Sequence, residues 1–414
     1  MLTKEFKRTK FTCFYANLAM SSVFSLPPIL FATFHEQYGI SYTLLGTLVL
    51  VNFCTQLVVD LIFSFFSKRF NIPVIIRNMP LLTAFGLAIY ALVPYFFPQY
   101  AYAGLVMGTV IFSVAAGLSE VLISPLVAAL PSDNPDRDMS ALHSLYAYGV
   151  FMVCVISTLF IWVFGRENWV YLTLFWAVLP VIASVLFHLS PIPEMNLSHN
   201  EEKGEKAKRK SVGLALCALC IFLGGATENT MTNWVSAYME QALLIPKVVG
   251  DILGTAAFAV LLGLTRTWYA KRGKNIYNVL FVSMLGSIFC YLTVGLCGNV
   301  MISVIACAMT GIFTAMLWPG ILIYMEEKIP HAGVAAYALM AAGGDFGASV
   351  APQTMGIVVD NVSITPWAMD LASQMSVPAE QIGMRVGMLL TTVFPILGVV
   401  VLLQLKRHFR KEHL

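Results

Sequence analysis

Glu120, Glu228 and Asp345 each interrupt an apolar stretch, in "GLSEVLISP", "GATENTMTNW" and "AAGGDFGASVAP". A carboxylate in such a setting can accept hydrogen bonds from the hydroxyls of a polar solute, or take up and release a proton. Counted along a helix, Glu120 lies thirteen residues before Asp133, Glu228 thirteen before Gln241 and Asp345 fourteen after His331, roughly 20 Å in each case. In a hydrocarbon layer ~30 Å thick the three acids share one depth near the middle, with no Lys or Arg expected at that level. The opposing account is that each acid is protonated, or bonded to a neighbouring helix, and only positions helices.

Other residue types suit the same chemistry. Asn52 and Gln56 stand at i, i+4, as do Asn229 and Asn233, so each pair occupies one helix face. Together with Trp234, Trp318 and Tyr146 they offer amides for hydroxyl groups and aromatic faces for the apolar side of a sugar ring. His143 follows Arg137 and Asp138 closely, and reads as a proton relay or as a half-solvated histidine at a helix end. Asp60 precedes Lys68 by eight residues, roughly 12 Å, and Arg266 precedes Lys271 by five. Their comparable places suggest a gate or a structural ion pair. "CALC" at 217–220 lacks a second Cys pair and reads as small packing residues, so no metal site is expected. The Gly-rich run 343–347 has neither the lysine nor the strand context of a phosphate loop, and no cofactor is expected.

The elements that must position these groups follow from composition. The 414 residues are 58% hydrophobic and 11% charged, against about 25% charged in soluble domains. Twelve apolar stretches have membrane-spanning length: 11–34, 43–66, 73–96, 101–130, 139–164, 168–189, 211–241, 250–270, 276–297, 300–327, 332–359 and 384–405. With both termini on the inner side, every one of the 25 Lys and Arg residues except Arg166, Lys247 and Arg385 falls there too, as the positive-inside rule requires. The net charge of +3 reflects these inner loops and gives no sign of a nucleic-acid partner. All eight cysteines lie in apolar stretches, which excludes a disulfide framework.

A polar, aromatic-free segment, "NLSHNEEKGEKAKRKS" at 196–211, reads as a cytoplasmic linker between a first six-helix bundle, 1–195, and a second, 212–414. The halves resemble each other weakly: Gly117, Glu120 and Pro125 in span four match Gly311, Thr314 and Pro319 in span ten. Spans two and eight each pair an early Gly-Thr (46–47, 254–255) with a terminal Lys-Arg (68–69, 271–272). The pattern suggests a duplicated unit.

Twelve spans arranged six and six resemble the major facilitator superfamily over nearly the whole chain. Within it, "GLSEVLISP" followed by "ALHSLYAYG" is similar to spans four and five of the fucose-type sugar permeases, and "GATENTMTNW" and "GIFTAMLWPGI" to spans seven and ten. The resemblance implies an all-α membrane protein of two pseudo-symmetric six-helix bundles that is not an enzyme. It implies transport of a sugar or similar small polar solute by alternating access, by uniport or proton symport. Its expected surroundings are the bacterial inner membrane, with both termini cytoplasmic, a monomeric state, and solute, protons and lipid as partners. Glu120, Glu228, Asn229, Trp234, Trp318, Asn52, Gln56 and Tyr146 are then the solute-binding candidates, and Glu120, Asp345 and His143 the proton-coupling ones. Two departures stand out: the loop "SKRFNIPVIIR" lacks the superfamily's Gly-x3-Asp-Arg order, and the first span has no acid. The alternative is proton-coupled efflux of lipophilic or cationic compounds. Span five, "YAYGVFMVCVISTLFIWVFG", has no Gly-Pro of the kind such antiporters carry.

Overall fold

Residues 4–66, 69–131, 135–193, 206–329 and 334–410 are described by a computed structural model, which is about 90% helical and has no strand among the described residues. Helices one to six are Lys4–Tyr38, Tyr42–Phe66, Ile72–Phe96, Ala101–Ala129, Pro135–Phe164 and Trp169–His188. Helix seven is Lys206–Ala237, helix nine Ile276–Leu296 and helix eleven Val334–Ser363. Four are composite. Helix seven runs on into a π-helical segment, Tyr238–Ala242. Helix eight, 247–272, contains a π-helical segment, Asp251–Ala256. Helix ten joins Val300–Thr314 to Pro319–Lys328, and helix twelve joins Ala379–Thr391 to Val393–Arg410.

Ten described helices are long and apolar enough to cross a membrane. Helix five adds the shorter apolar segment Tyr148–Phe164, and helix eleven has the length at 30 residues. Backbone polar groups find no partner in hydrocarbon, so a spanning segment of this composition satisfies them internally as helix. Val178, Val181, Ile182 and Val185 form an exposed apolar row on helix six, as do Val282, Leu285, Phe289 and Leu292 on helix nine. In water such rows would aggregate; facing lipid they are stable.

The helices are longer than the apolar stretches at several ends, because polar flanking residues continue the hydrogen-bond ladder; helix one runs to Lys4 and Tyr38. A short helix, Pro366–Met375, was not expected from the pattern. Pro366 opens it with a fixed φ, and Ser376, at φ 55, ends it in the left-handed region. Trp367, Met369 and Met375 are exposed while Ala368 and Ala372 are buried, the amphipathic division of an interfacial helix.

The chain divides into two compact units, 1–40 with 51–198 and 41–50 with 199–414. In the first, helix three packs along helices four and six, and helix one along helix five. Its core includes Cys13, Phe63, Met79, Leu122, Leu126 and Phe187. In the second, helix seven packs along helix eleven, and helix nine along the first segment of helix ten. Cys217 and Cys220 are buried there among Ile221, Leu280, Met284 and Leu317 and are free thiols, so "CALC" is packing. The glycines of "AAGGDFGASVAP" allow that approach: a Cβ on Gly343 would lie 2.9 Å from the Ala218 carbonyl oxygen, and one on Gly347 would collide with the Phe222 carbonyl.

Candidate functional site

In the first unit, helices two and four bring two acids together. Gly117 lies against the helix-two backbone, where an added Cβ would sit 3.2 Å from Gln56 Cα and 3.1 Å from Val59 Cβ. One turn further along each helix stand Glu120 and Asp60, and their carboxylate oxygens lie within 4.8 Å. Glu120 is exposed and Asp60 half-buried, with its Oδ1 buried and without a hydrogen-bond partner. Spacing along the chain predicts different depths for these acids. Helix four, however, ends at Ala129, so Glu120 is nine residues from its end, about 14 Å, against six for Asp60 in helix two. Counting to Asp133 took Leu130 and Pro131 as helical, which they are not.

Asn52 and Gln56 do not present free amides beside this pair. Both are buried, at 8% and 1% exposure. Gln56 Nε2 donates to Asn52 Oδ1 at 3.1 Å, and Ser113 Oγ donates to the same oxygen at 2.6 Å. Their side chains hold helix two to helix four. The i, i+4 spacing puts both amides on one helix face, and that face is turned into the bundle.

In the second unit, Glu228 and Arg266 form an ion pair, Arg266 Nη2 donating to Glu228 Oε1 at 3.0 Å. This corrects the expectation that no cation reaches the level of the acids: the long arginine stem carries its charge well away from its own backbone position. Within this unit Arg266 stands in an ion pair with Glu228, and in the first unit Asp60 neighbours Glu120. Glu228 Oε2 is buried without a hydrogen-bond partner. Asn229 is half-buried and Asn233 buried, and each donates to the carbonyl four residues earlier.

Trp234 is fully buried; its Nε1 donates to the Pro352 carbonyl at 3.1 Å and its ring lies 5.9 Å from that of Tyr42. It is a packing residue, not an open aromatic face. Trp318 is half-buried at the break in helix ten, its indole close to Gly225 and Gly344. Asp345 is buried in helix eleven and Tyr146 half-buried in helix five. His143 lies in helix five, and its side chain is outside the described residues.

One cluster escaped the sequence reading. Lys247 is buried and sits 3.4 Å from Asp251 and 3.7 Å from Glu240. Its Nζ donates to Ser236 Oγ at 3.1 Å, and Ser236 Oγ donates in turn to Asp251 Oδ1. The two acids fall in π-helical segments, Tyr238–Ala242 and Asp251–Ala256, a wider winding that hydropathy does not reveal.

A family model described as Major Facilitator Superfamily matches residues 12–352. The chain belongs to the Major Facilitator Superfamily. It is a multi-pass membrane transporter rather than an enzyme, with the all-α, paired six-helix architecture of that superfamily. Among solved structures it is similar to a bacterial homolog of the human lysosomal transporter Spinster, in an inward-facing and occupied conformation. That match has 12% identity, covers 99% of each chain and has a TM-score of 0.75. It is also similar to a D-xylose–proton symporter, at 13% identity over 95% of this chain and 97% of that one with a TM-score of 0.71. The E. coli fucose:proton symporter aligns at 13% identity over 95% and 99% of the two chains with a TM-score of 0.58. A search of curated protein sequences finds no match.

Proposed function

We propose that this superfamily transporter carries a sugar or a similarly hydroxyl-rich small solute, and that Asp60 and Glu120 carry a coupled proton. The observation behind the reading is the pair of carboxylates within 4.8 Å, one of them exposed. Two like charges this close repel by about 3–4 kcal/mol at an effective dielectric of about 20. One shared proton removes that repulsion, so the pair is suited to load and release a proton as its surroundings change. Within the second unit Glu228, Asn229 and Trp318 supply the acceptor, amide and aromatic groups for the solute, with Asp345 close in sequence to the glycines that meet Trp318. Transport proceeds by alternating access of the two bundles. The monomer works in the cytoplasmic membrane with both termini inside. Proton symporters of xylose and fucose share the fold.

A second reading rests on the same pair: two acids with one exposed also suit an organic cation, which would make the protein an exporter of lipophilic cations. A thermal-shift panel of monosaccharides, polyols, nucleosides and lipophilic cations on purified protein separates the two, since a bound ligand raises the melting temperature. Stabilisation by hydroxyl-rich neutral solutes supports the proposal; stabilisation by the cations alone rejects it in favour of export.

A further inference from the structure

Pro319 has no amide hydrogen, so the carbonyl of Ala315, four residues earlier, loses the bond an uninterrupted helix would give it. Helix ten does break there: its first segment ends at Thr314, its second begins at Pro319, and residues 315–318 form a turn. The orphaned carbonyl is not left bare. Arg266 Nε donates to Ala315 O at 2.9 Å while Nη2 of the same guanidinium donates to Glu228 Oε1 at 3.0 Å. One planar group thus joins an acid of helix seven to the break in helix ten, using two donors whose relative geometry is fixed. Trp318, the last residue of the break, fits its indole beside Gly225, one turn from Glu228, where an added Cβ would come within 3.2 Å. It also lies against Gly344, next to Asp345.

We infer that Arg266 is a positioning residue: its guanidinium replaces the hydrogen bond that Pro319 denies Ala315 and ties the break in helix ten, with Trp318 on it, to the carboxylate of Glu228. A change at Glu228, whether a proton gained or a solute engaged, then alters the hold on helix ten through that guanidinium. The role of Trp318 in solute binding rests on the reading above, whereas the test needs no solute.

The test is a rescue measured by hydrogen–deuterium exchange and thermal melting in lipid nanodiscs. Arg266→Gln cannot serve both acceptors, and exchange in the 316–322 segment is expected to rise about tenfold or more, with a lower melting temperature. Arg266→Lys keeps the charge beside Glu228 but offers a single ammonium in place of the fork, so the segment stays in fast exchange. Pro319→Ala supplies the missing amide hydrogen, and Arg266→Gln with Pro319→Ala is expected to recover most of the protection. If Arg266→Lys restores protection fully, or Pro319→Ala restores none of it, Arg266 is a charge partner of Glu228 only and the inference fails. Unchanged exchange in Arg266→Gln overturns it as well. These outcomes are independent of which solute is carried, so failure here leaves the transport reading standing, and the converse.

Discussion

Glu120 owes its neighbour to a glycine. Gly117 lets helices two and four touch backbone to side chain, and Asp60 and Glu120 follow one turn later. Gly117→Leu is therefore expected to push the helices apart and to destabilise the protein by roughly 1–3 kcal/mol, read as a lower melting temperature. Gly117→Ala needs a shift of only a few tenths of an ångström. At the other buried charge cluster, Lys247→Met removes the cation that lies beside both Asp251 and Glu240. Removing one partner of a buried ion pair costs about 3–5 kcal/mol, so this variant is expected to melt far below wild type, or to require detergent screening to be recovered at all. The acids themselves were legible in the sequence, because a carboxylate in an apolar run is conspicuous. Their partners were not. Glu120 with Asp60 and Glu228 with Arg266 depend on which face of each helix meets its neighbour, and the i, i+4 rule gives a face without its direction. Asn52, Gln56 and Trp234 show the consequence: polar and aromatic residues on the expected faces, bonded inside the bundle.

At the scale of elements, the start of helix two carries its own cap. The amides of Tyr42 and Thr43 donate to the two carboxylate oxygens of Asp360, at 3.1 and 2.6 Å, where a helix N-terminus has unpaired donors and partial positive charge. Gly356 lies against the Tyr42 carbonyl and Gly46 against Gln353, so helix eleven and the first turns of helix two pack closely. Residues 41–50 accordingly belong to the second compact unit although the remainder of helix two belongs to the first. Asp360→Ala is expected to lower stability by about 1 kcal/mol, detectable by thermal melting. The twelve apolar stretches made nearly all of this helical scaffold readable in advance. The break in helix ten had a visible signal in Pro319, whereas the π-helical segments at 238–242 and 251–256 had none, since widening one turn changes no residue type.

For the whole molecule, membership of the superfamily follows from the match over residues 12–352 and agrees with the shared architecture of the solved structures. The distribution of Lys and Arg carries the proposal that both termini are cytoplasmic: a C-terminal fluorescent fusion is then expected to fold and fluoresce in the cytoplasm, while a phosphatase fusion at the same end stays inactive. The reverse pattern would invert the topology and place the Asp60–Glu120 pair nearer the opposite face. Fold and class were readable because lipid imposes helix and length on every span. The solute was not, since recognition depends on side-chain directions within each unit, and those are decided by packing.

The central claim is that the Asp60–Glu120 pair carries a coupled proton, and uptake in proteoliposomes tests it directly, using a hydroxyl-rich solute that stabilises the purified protein. Wild type is expected to accumulate solute under an imposed pH gradient. Glu120→Gln is expected to lose that accumulation by about tenfold or more while still exchanging solute across the membrane at equal concentrations, because the amide keeps the shape and cannot take up the proton. Gradient-driven accumulation by Glu120→Gln at the wild-type level would contradict the account.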